Sequence, residues 1–177
     1  MRYITLPLVL FPIAIGIDTL NYCPRPAPTP VLEVKVDPKE LKCLATMIYG
    51  EARGEKEIGQ VAVAWTARNR ATDRRICQIV LAPYQYSAFN DNPRMRLAAT
   101  NLKIVPPINN ILDKGSWEQA LKVATEVLKN EVPDPTNGAT HYIAPMVMHD
   151  MKYEYPDWTK KFKRVKTIYN HVFFRQA

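Results

Sequence analysis

Apolar residues recur at Leu41, Leu44, Ala45 and Ile48, a spacing that predicts a helix with one buried stripe. Asp37-Pro38-Lys39-Glu40 marks its start: the aspartate caps, the proline suits the first helical position, and the glutamate completes a capping box. Gly50 and Gly54 bracket its end. Glu51 lies nearly two turns beyond Leu44, so a carboxylate continues the apolar face at the C-terminal end of this helix. A second helix is predicted over Glu57–Arg70, with Ile58, Val61, Ala62 and Trp65 on its apolar face. Cys77 to Asn90 reads as a helical turn followed by an extended loop, Tyr84-Gln85-Tyr86-Ser87. Residues 91–115 carry Pro93, Pro106 and Pro107 and read as loops. Ser116-Trp117-Glu118-Gln119 has the form of a capping box opening a third helix, with Ala120, Leu121, Ala124, Val127 and Leu128 as its stripe. Pro133 to Gly138 predicts a turn and Ala139 to Ala144 a short strand. Arg164–Ile168 and His171–Phe174 predict a hairpin around Tyr169-Asn170. The pattern is that of an α+β fold, a mainly helical single domain with short strands.

The first residues follow a different pattern. Met1-Arg2 supplies one positive charge, and Tyr3 to Ile17 then runs without a charge until Asp18. This run falls short of the ~20 residues that span a bilayer comfortably as a helix, and matches the apolar region of an export signal. No small-x-small cleavage site precedes Cys23, so residues 1–23 are expected to act either as a signal peptide or as a membrane anchor. Residues 24–36 contain Pro24, Pro26, Pro28 and Pro30 and predict a semi-rigid proline-rich linker. The folded body is then 37–177. Cys43 and Cys77 can pair in an oxidising compartment or remain as buried thiols.

Composition narrows the class. Of 177 residues, 47% are hydrophobic and 23% charged, which excludes a wholly disordered chain. Three cysteines are too few for a disulfide-stapled miniprotein. The net charge of +7 lies mostly beyond Val36 and implies an anionic partner. No RRM, KH or helix-turn-helix signature is present, and export argues against nucleic acid. The densest basic run, Lys160 to Lys166, reads as the solvated face of a strand.

Glu51 is the leading chemical candidate. Burial and the negative end of a helix both disfavour a charged carboxylate, conditions that suit a proton donor. An ion pair with Arg53 or Arg68 is the bland alternative. Glu55, Asp91 and Asp134 are the other carboxylates of the body with a bearing on catalysis, none on a clearly opposed element. His141, His149 and His171, with Asp150 or a cysteine, define a rival zinc amidase, but no H-x-x-x-H or H-E-x-x-H spacing supports it.

Four segments, in order, carry a family resemblance. Ile48-Tyr49-Gly50-Glu51-Ala52-Arg53-Gly54-Glu55, followed by Gly59 to Ala64, resembles the opening motif of the SleB-type cell-wall hydrolases, which include spore cortex-lytic enzymes and phage and bacterial relatives. Cys77 to Ser87 is similar to the family's cysteine-to-Q-F-S segment, and Asp134 to Tyr142 to its D-P-T-x-G-A-T-H-Y segment. Thr167 to Phe174 resembles its terminal I-x-x-H-x-F. The resemblance implies a lysozyme-like fold related to lytic transglycosylases, and cleavage of the bond between N-acetylmuramic acid and N-acetylglucosamine. It implies Glu51 as the catalytic residue. Gln60, Gln85, Ser87, His141 and Tyr142 lie inside the matched motifs and are candidate substrate-binding residues, with structural roles as the alternative. With one evident carboxylate, a lytic transglycosylase giving 1,6-anhydromuramic products is preferred to a hydrolytic muramidase. The expectation is an exported monomer of the periplasm, envelope or medium, of phage (endolysin) or bacterial origin. Its partner is peptidoglycan, it touches membrane only through the N-terminal segment, and it uses no cofactor and no metal.

Overall fold

The computed structural model describes residues 34–176; the expected signal or anchor (1–23) and most of the linker lie outside them. The first helix, α1 (Pro38–Ala52), begins where the sequence predicts, with Asp37 accepting a 2.8 Å hydrogen bond from the Lys39 amide. It is buried on nearly every side: Leu44, Ala45, Met47 and Ile48 are wholly enclosed. It carries polar residues as well, with Lys42 and Thr46 also buried, and packs against four other helices. These are α2 (Glu57–Arg70), α3 (Ile76–Val80), α4 (Pro93–Thr100) and α5 (Ile111–Lys129). A disulfide joins Cys43 of α1 to Cys77 of α3, with Cα atoms 5.3 Å apart.

Three strands form an antiparallel sheet in the order β1 (His141–Ile143), β3 (His171–Arg175), β2 (Lys163–Ile168). Tyr142 lies opposite Phe173, and His171 is two residues from Phe173 on the same face. That face carries the fully buried Phe173 into the main core. The other face, with Ile143, Val172 and Phe174, is covered by Trp158, Phe162 and Met148 in a smaller cluster. A bulge between Arg164 and Lys166 interrupts β2. Lys160, Lys161, Lys163, Arg164 and Lys166 are exposed, as expected of a solvated strand face.

Three elements depart from the sequence pattern. Helix α4 occupies a stretch read as loop: Pro93 opens this helix, and Asn92 caps it by accepting from the Met95 amide at 3.2 Å. Helix α5 starts at Ile111, not Ser116. Asn110 is its cap, accepting from the Asp113 amide at 2.9 Å, while the apolar Ile111 and Leu112 stay exposed and lie outside the buried stripe that begins at Trp117. The short α6 (Pro145–Asp150) buries none of its residues, and its consecutive apolar run Met146-Val147-Met148 lacks helical spacing.

Candidate active site

Glu51 occupies the last turn of α1, and its carboxylate is held at three points. Oε1 accepts from the Ser87 hydroxyl at 2.9 Å and from the Ala88 amide at 2.6 Å. Oε2 accepts from the Tyr142 hydroxyl at 2.8 Å. The donors arrive from two distant parts of the chain. Ser87 and Ala88 belong to a single 3-10 turn, Ser87–Phe89, and Tyr142 is the middle residue of β1. The turn approaches α1 closely because position 50 has no side chain: a Cβ there would lie 2.3 Å from Ala88 Cβ and 2.9 Å from Met95 Cε. Neither arginine considered as an ion-pair partner is engaged with Glu51. Arg53 lies over the Tyr49 ring, and Arg68 covers Trp65 and donates to the Val127 carbonyl.

The carboxylate faces a cleft of about 310 Å³. Tyr84, Gln85 and Tyr86 form one wall and Thr140, His141, Tyr142 and Trp158 another, with Thr66 and Arg70 contributed by α2. Glu51 is the one carboxylate among the described residues that line it. Arg70 supplies a positive charge, donating to Gln85 and lying 5.9 Å from the Tyr86 ring centroid. Burial, together with the Arg70 charge, lowers His141 to about 4, so its imidazole is neutral at pH 7. Its ring packs against Trp158 and Phe162, at centroid distances of 5.1 Å and 4.8 Å. Burial, reinforced by the neighbouring Glu51, raises the Tyr142 phenol well above its ordinary range, so it remains a hydrogen-bond donor. Tyr84 is 88% exposed, adopts a left-handed φ of 59°, and lines both this cleft and an adjoining groove that contains Asp91.

Of the residues singled out in the sequence, Glu51, Gln85, His141 and Tyr142 meet in the cleft, and Ser87 is bonded to Glu51. Gln60, the remaining substrate-binding candidate, does not join them. It is 3% exposed and absent from the cleft lining, and its amide donates to the Glu55 carbonyl at 3.2 Å. Asp134 is committed to the turn before β1. Its oxygens accept from the Thr136 amide and hydroxyl, the Gly138 amide and the Asn69 side chain. The three histidines are dispersed: His141 is in the cleft, His149 is exposed beside Asp150, and His171 is buried near Glu55. No group of three or more potential metal ligands converges among the described residues. Thr66, Arg70, Tyr84, Tyr86, Thr140 and Trp158 also line the cleft and were not among the sequence candidates. Arg70 closes α2 next to Asn69, but no local pattern assigns Trp158 to the cleft.

A central helix with a hydrogen-bonded glutamate in its last turn, beside a small antiparallel sheet, is the plan of a mainly helical, lysozyme-like α+β fold. Residues 54–174 match the family model described as cell wall hydrolase, and the chain belongs to that family. A spore cortex-lytic enzyme from Halalkalibacterium halodurans is 25% identical over 138 residues. The match covers 76% of this chain but only 34% of that relative, so the chain spans about a third of the relative's length. Two solved structures share the fold at 23% identity. The catalytic domain of the Bacillus cereus SleB protein superposes with a TM-score of 0.56, covering 80% of this chain and 94% of that one. The catalytic domain of the germination-specific lytic transglycosylase SleB from Bacillus anthracis gives 0.58, covering 82% and 100%.

Proposed function

We propose that this domain cleaves the bond between N-acetylmuramic acid and N-acetylglucosamine as a lytic transglycosylase, with Glu51 as its single acid–base group. The observation that carries this reading is that no second carboxylate lines the cleft among the described residues. A glycosidic oxygen is a poor leaving group and needs a proton, which a carboxylic acid supplies. Hydrolysis with retention or inversion would call for a second carboxylate across the sugar. Muramic acid offers another nucleophile, its own 6-hydroxyl. In the proposed reaction Glu51 protonates the departing oxygen of N-acetylglucosamine as the bond to the anomeric carbon breaks. The 6-hydroxyl then bonds to that carbon and returns its proton to Glu51. The products are a 1,6-anhydromuramic end and a free hydroxyl; no water is consumed and the glutamate is reset.

The contacts of Glu51 suit this double use. The hydroxyls of Ser87 and Tyr142 can each turn to donate or accept, so they stay bonded whichever oxygen carries the proton. The Ala88 amide only donates and fixes the position of Oε1. Tyr84 and Trp158 offer ring faces to sugars, while Gln85, Arg70 and His141 offer polar contacts to acetamido and hydroxyl groups. The names of the spore cortex-lytic relative and of the Bacillus anthracis transglycosylase support the same class of substrate. General peptidoglycan is the proposed target. The Cys43–Cys77 disulfide supports action in an oxidising compartment outside the cytoplasm, with the N-terminal segment as the export signal or anchor.

Mass spectrometry of muropeptides released from purified sacculi tests the reading. The expected products are anhydro-muropeptides, each lighter by one water than the hydrolysed form. Reducing-end muramic acid as the sole product would replace the transglycosylase with a hydrolytic muramidase, and would direct attention to Asp91 in the adjoining groove.

A further inference from the structure

Two buried titratable side chains lie behind the cleft and take no direct part in the chemistry above. Glu55 and His171 have side chains only 10% and 5% exposed, and Glu55 Oε1 lies 3.8 Å from His171 Nδ1. They come from opposite ends of the domain, Glu55 from the loop between α1 and α2 and His171 from the start of β3. Asn170 donates to Glu55 Oε1 at 2.8 Å, which ties the tip of the β2–β3 hairpin to that loop. Gly59 of α2 leaves room for the carboxylate: a Cβ there would lie 3.2 Å from Glu55 Oε2. His171 Nδ1 has no hydrogen-bond partner, and Glu55 is the acceptor that faces it. A buried imidazole nitrogen at a buried carboxylate is costly unless the two are matched. An apolar side chain would pack more cheaply against Phe173.

The imidazole has a second neighbour. Its ring meets the Tyr142 ring edge to face, at a centroid distance of 5.0 Å and an angle of 83°. Tyr142 in turn donates to Glu51 Oε2. The charged and titratable groups facing His171 are therefore Glu55 from the α1–α2 loop, Tyr142 from β1 and Glu51 from α1. Burial lowers its pKa, and the two glutamates oppose that shift.

We infer that Glu55 and His171 act as positioning residues: the carboxylate orients the imidazole, the imidazole fixes the Tyr142 ring, and Tyr142 holds Glu51 in its productive geometry. The inference rests on the proposed role of Glu51. In a resting imidazole oriented this way, Nδ1 carries the proton and points it at Glu55. Two links of this path, the Tyr142–Glu51 hydrogen bond and the ring-on-ring contact, depend on ring orientation. A small misplacement of a catalytic group can cost a large factor in rate.

The test uses Glu55→Gln and His171→Phe in the full chain. The first keeps the size and an acceptor for Asn170 but removes the charge; the second keeps a ring against Tyr142 but removes the nitrogens. Turnover of purified sacculi should fall roughly 10- to 100-fold for His171→Phe, and less for Glu55→Gln, with KM unchanged. A purely structural role predicts that His171→Phe, which improves apolar packing, leaves turnover at the level of the unaltered protein. A second readout is independent of catalysis: ¹³C NMR of ring-labelled tyrosine, with the Tyr142 signal assigned through Tyr142→Phe. The inference expects the Tyr142 ring carbon to shift in both variants while the unfolding temperature stays high. Unchanged Tyr142 signals in the folded variants would overturn it, whatever the activity. Failure of the unaltered protein to lyse sacculi would count against the proposed function instead, and the NMR comparison would still decide whether Glu55 and His171 position the Tyr142 ring.

Discussion

Gly50 and Ala88 touch so closely that a Cβ at position 50 would fall 2.3 Å from the Ala88 Cβ. This contact brings the 87–89 turn against the end of α1 and places the Ala88 amide 2.6 Å from Glu51 Oε1. Gly50→Ala must push the turn away. Overpacking of this kind costs about 1–3 kcal/mol, and the displaced turn carries away two of the three donors to Glu51. The variant is expected to fold with a lowered unfolding temperature and to lose at least ~10-fold in lytic rate, a misplacement effect. Thermal unfolding and a turbidity assay on cell walls check both parts.

The disulfide contributes through the unfolded chain. Cys43 and Cys77 are separated by 34 positions. Closing a loop of that length stabilises by about 3–4 kcal/mol in the chain-entropy account. Cys43→Ala with Cys77→Ala should lower the unfolding temperature by on the order of 10 °C without abolishing activity at low temperature. Calorimetry of the oxidised and doubly substituted proteins measures the difference.

Stability should fall as the solution is acidified through the histidine range. His141 has its pKa lowered from 6.5 to about 4 by burial and then by Arg70, and burial lowers His171 as well. The unfolded chain therefore takes up protons that the native protein refuses. The stabilisation is fully present above 6.5 and is lost progressively as pH falls toward 4. His141 is half-buried, so solvent screening moderates its share. His141→Asn should flatten the stability profile between these pH values, which urea unfolding across the range will show.

The sequence reveals the site's central residue and leaves much of its wall hidden. Glu51 was legible because a carboxylate on an otherwise apolar helical stripe breaks the pattern, and the family resemblance falls on the same position. Helix α2 was legible from its stripe, with the bounds found in the structure, Glu57–Arg70. Helix α4 was missed because proline was read as a loop marker where Pro93 opens a helix. Gly50 and Gly54 do bracket the end of α1 at Ala52, but no sequence pattern shows that Gly50 also serves a close approach that only tertiary packing creates. Gln60 shares a matched motif with Glu51 yet is buried away from the cleft, since proximity in sequence does not fix the face a side chain takes. Trp158 reaches the cleft by packing over His141 and Phe174 from a single 3-10 turn, Asp157–Lys160, too short to show a periodicity.

The most direct test of the account is the rate at which Glu51→Gln clears purified cell walls, alongside a circular dichroism spectrum. The amide keeps the shape of the side chain but has no acid proton to give. General acid–base catalysis is typically worth ~10²–10⁴-fold. The account predicts a folded variant whose lytic rate has dropped by a factor of that order; clearing at the rate of the unaltered protein by a folded Glu51→Gln variant would contradict it.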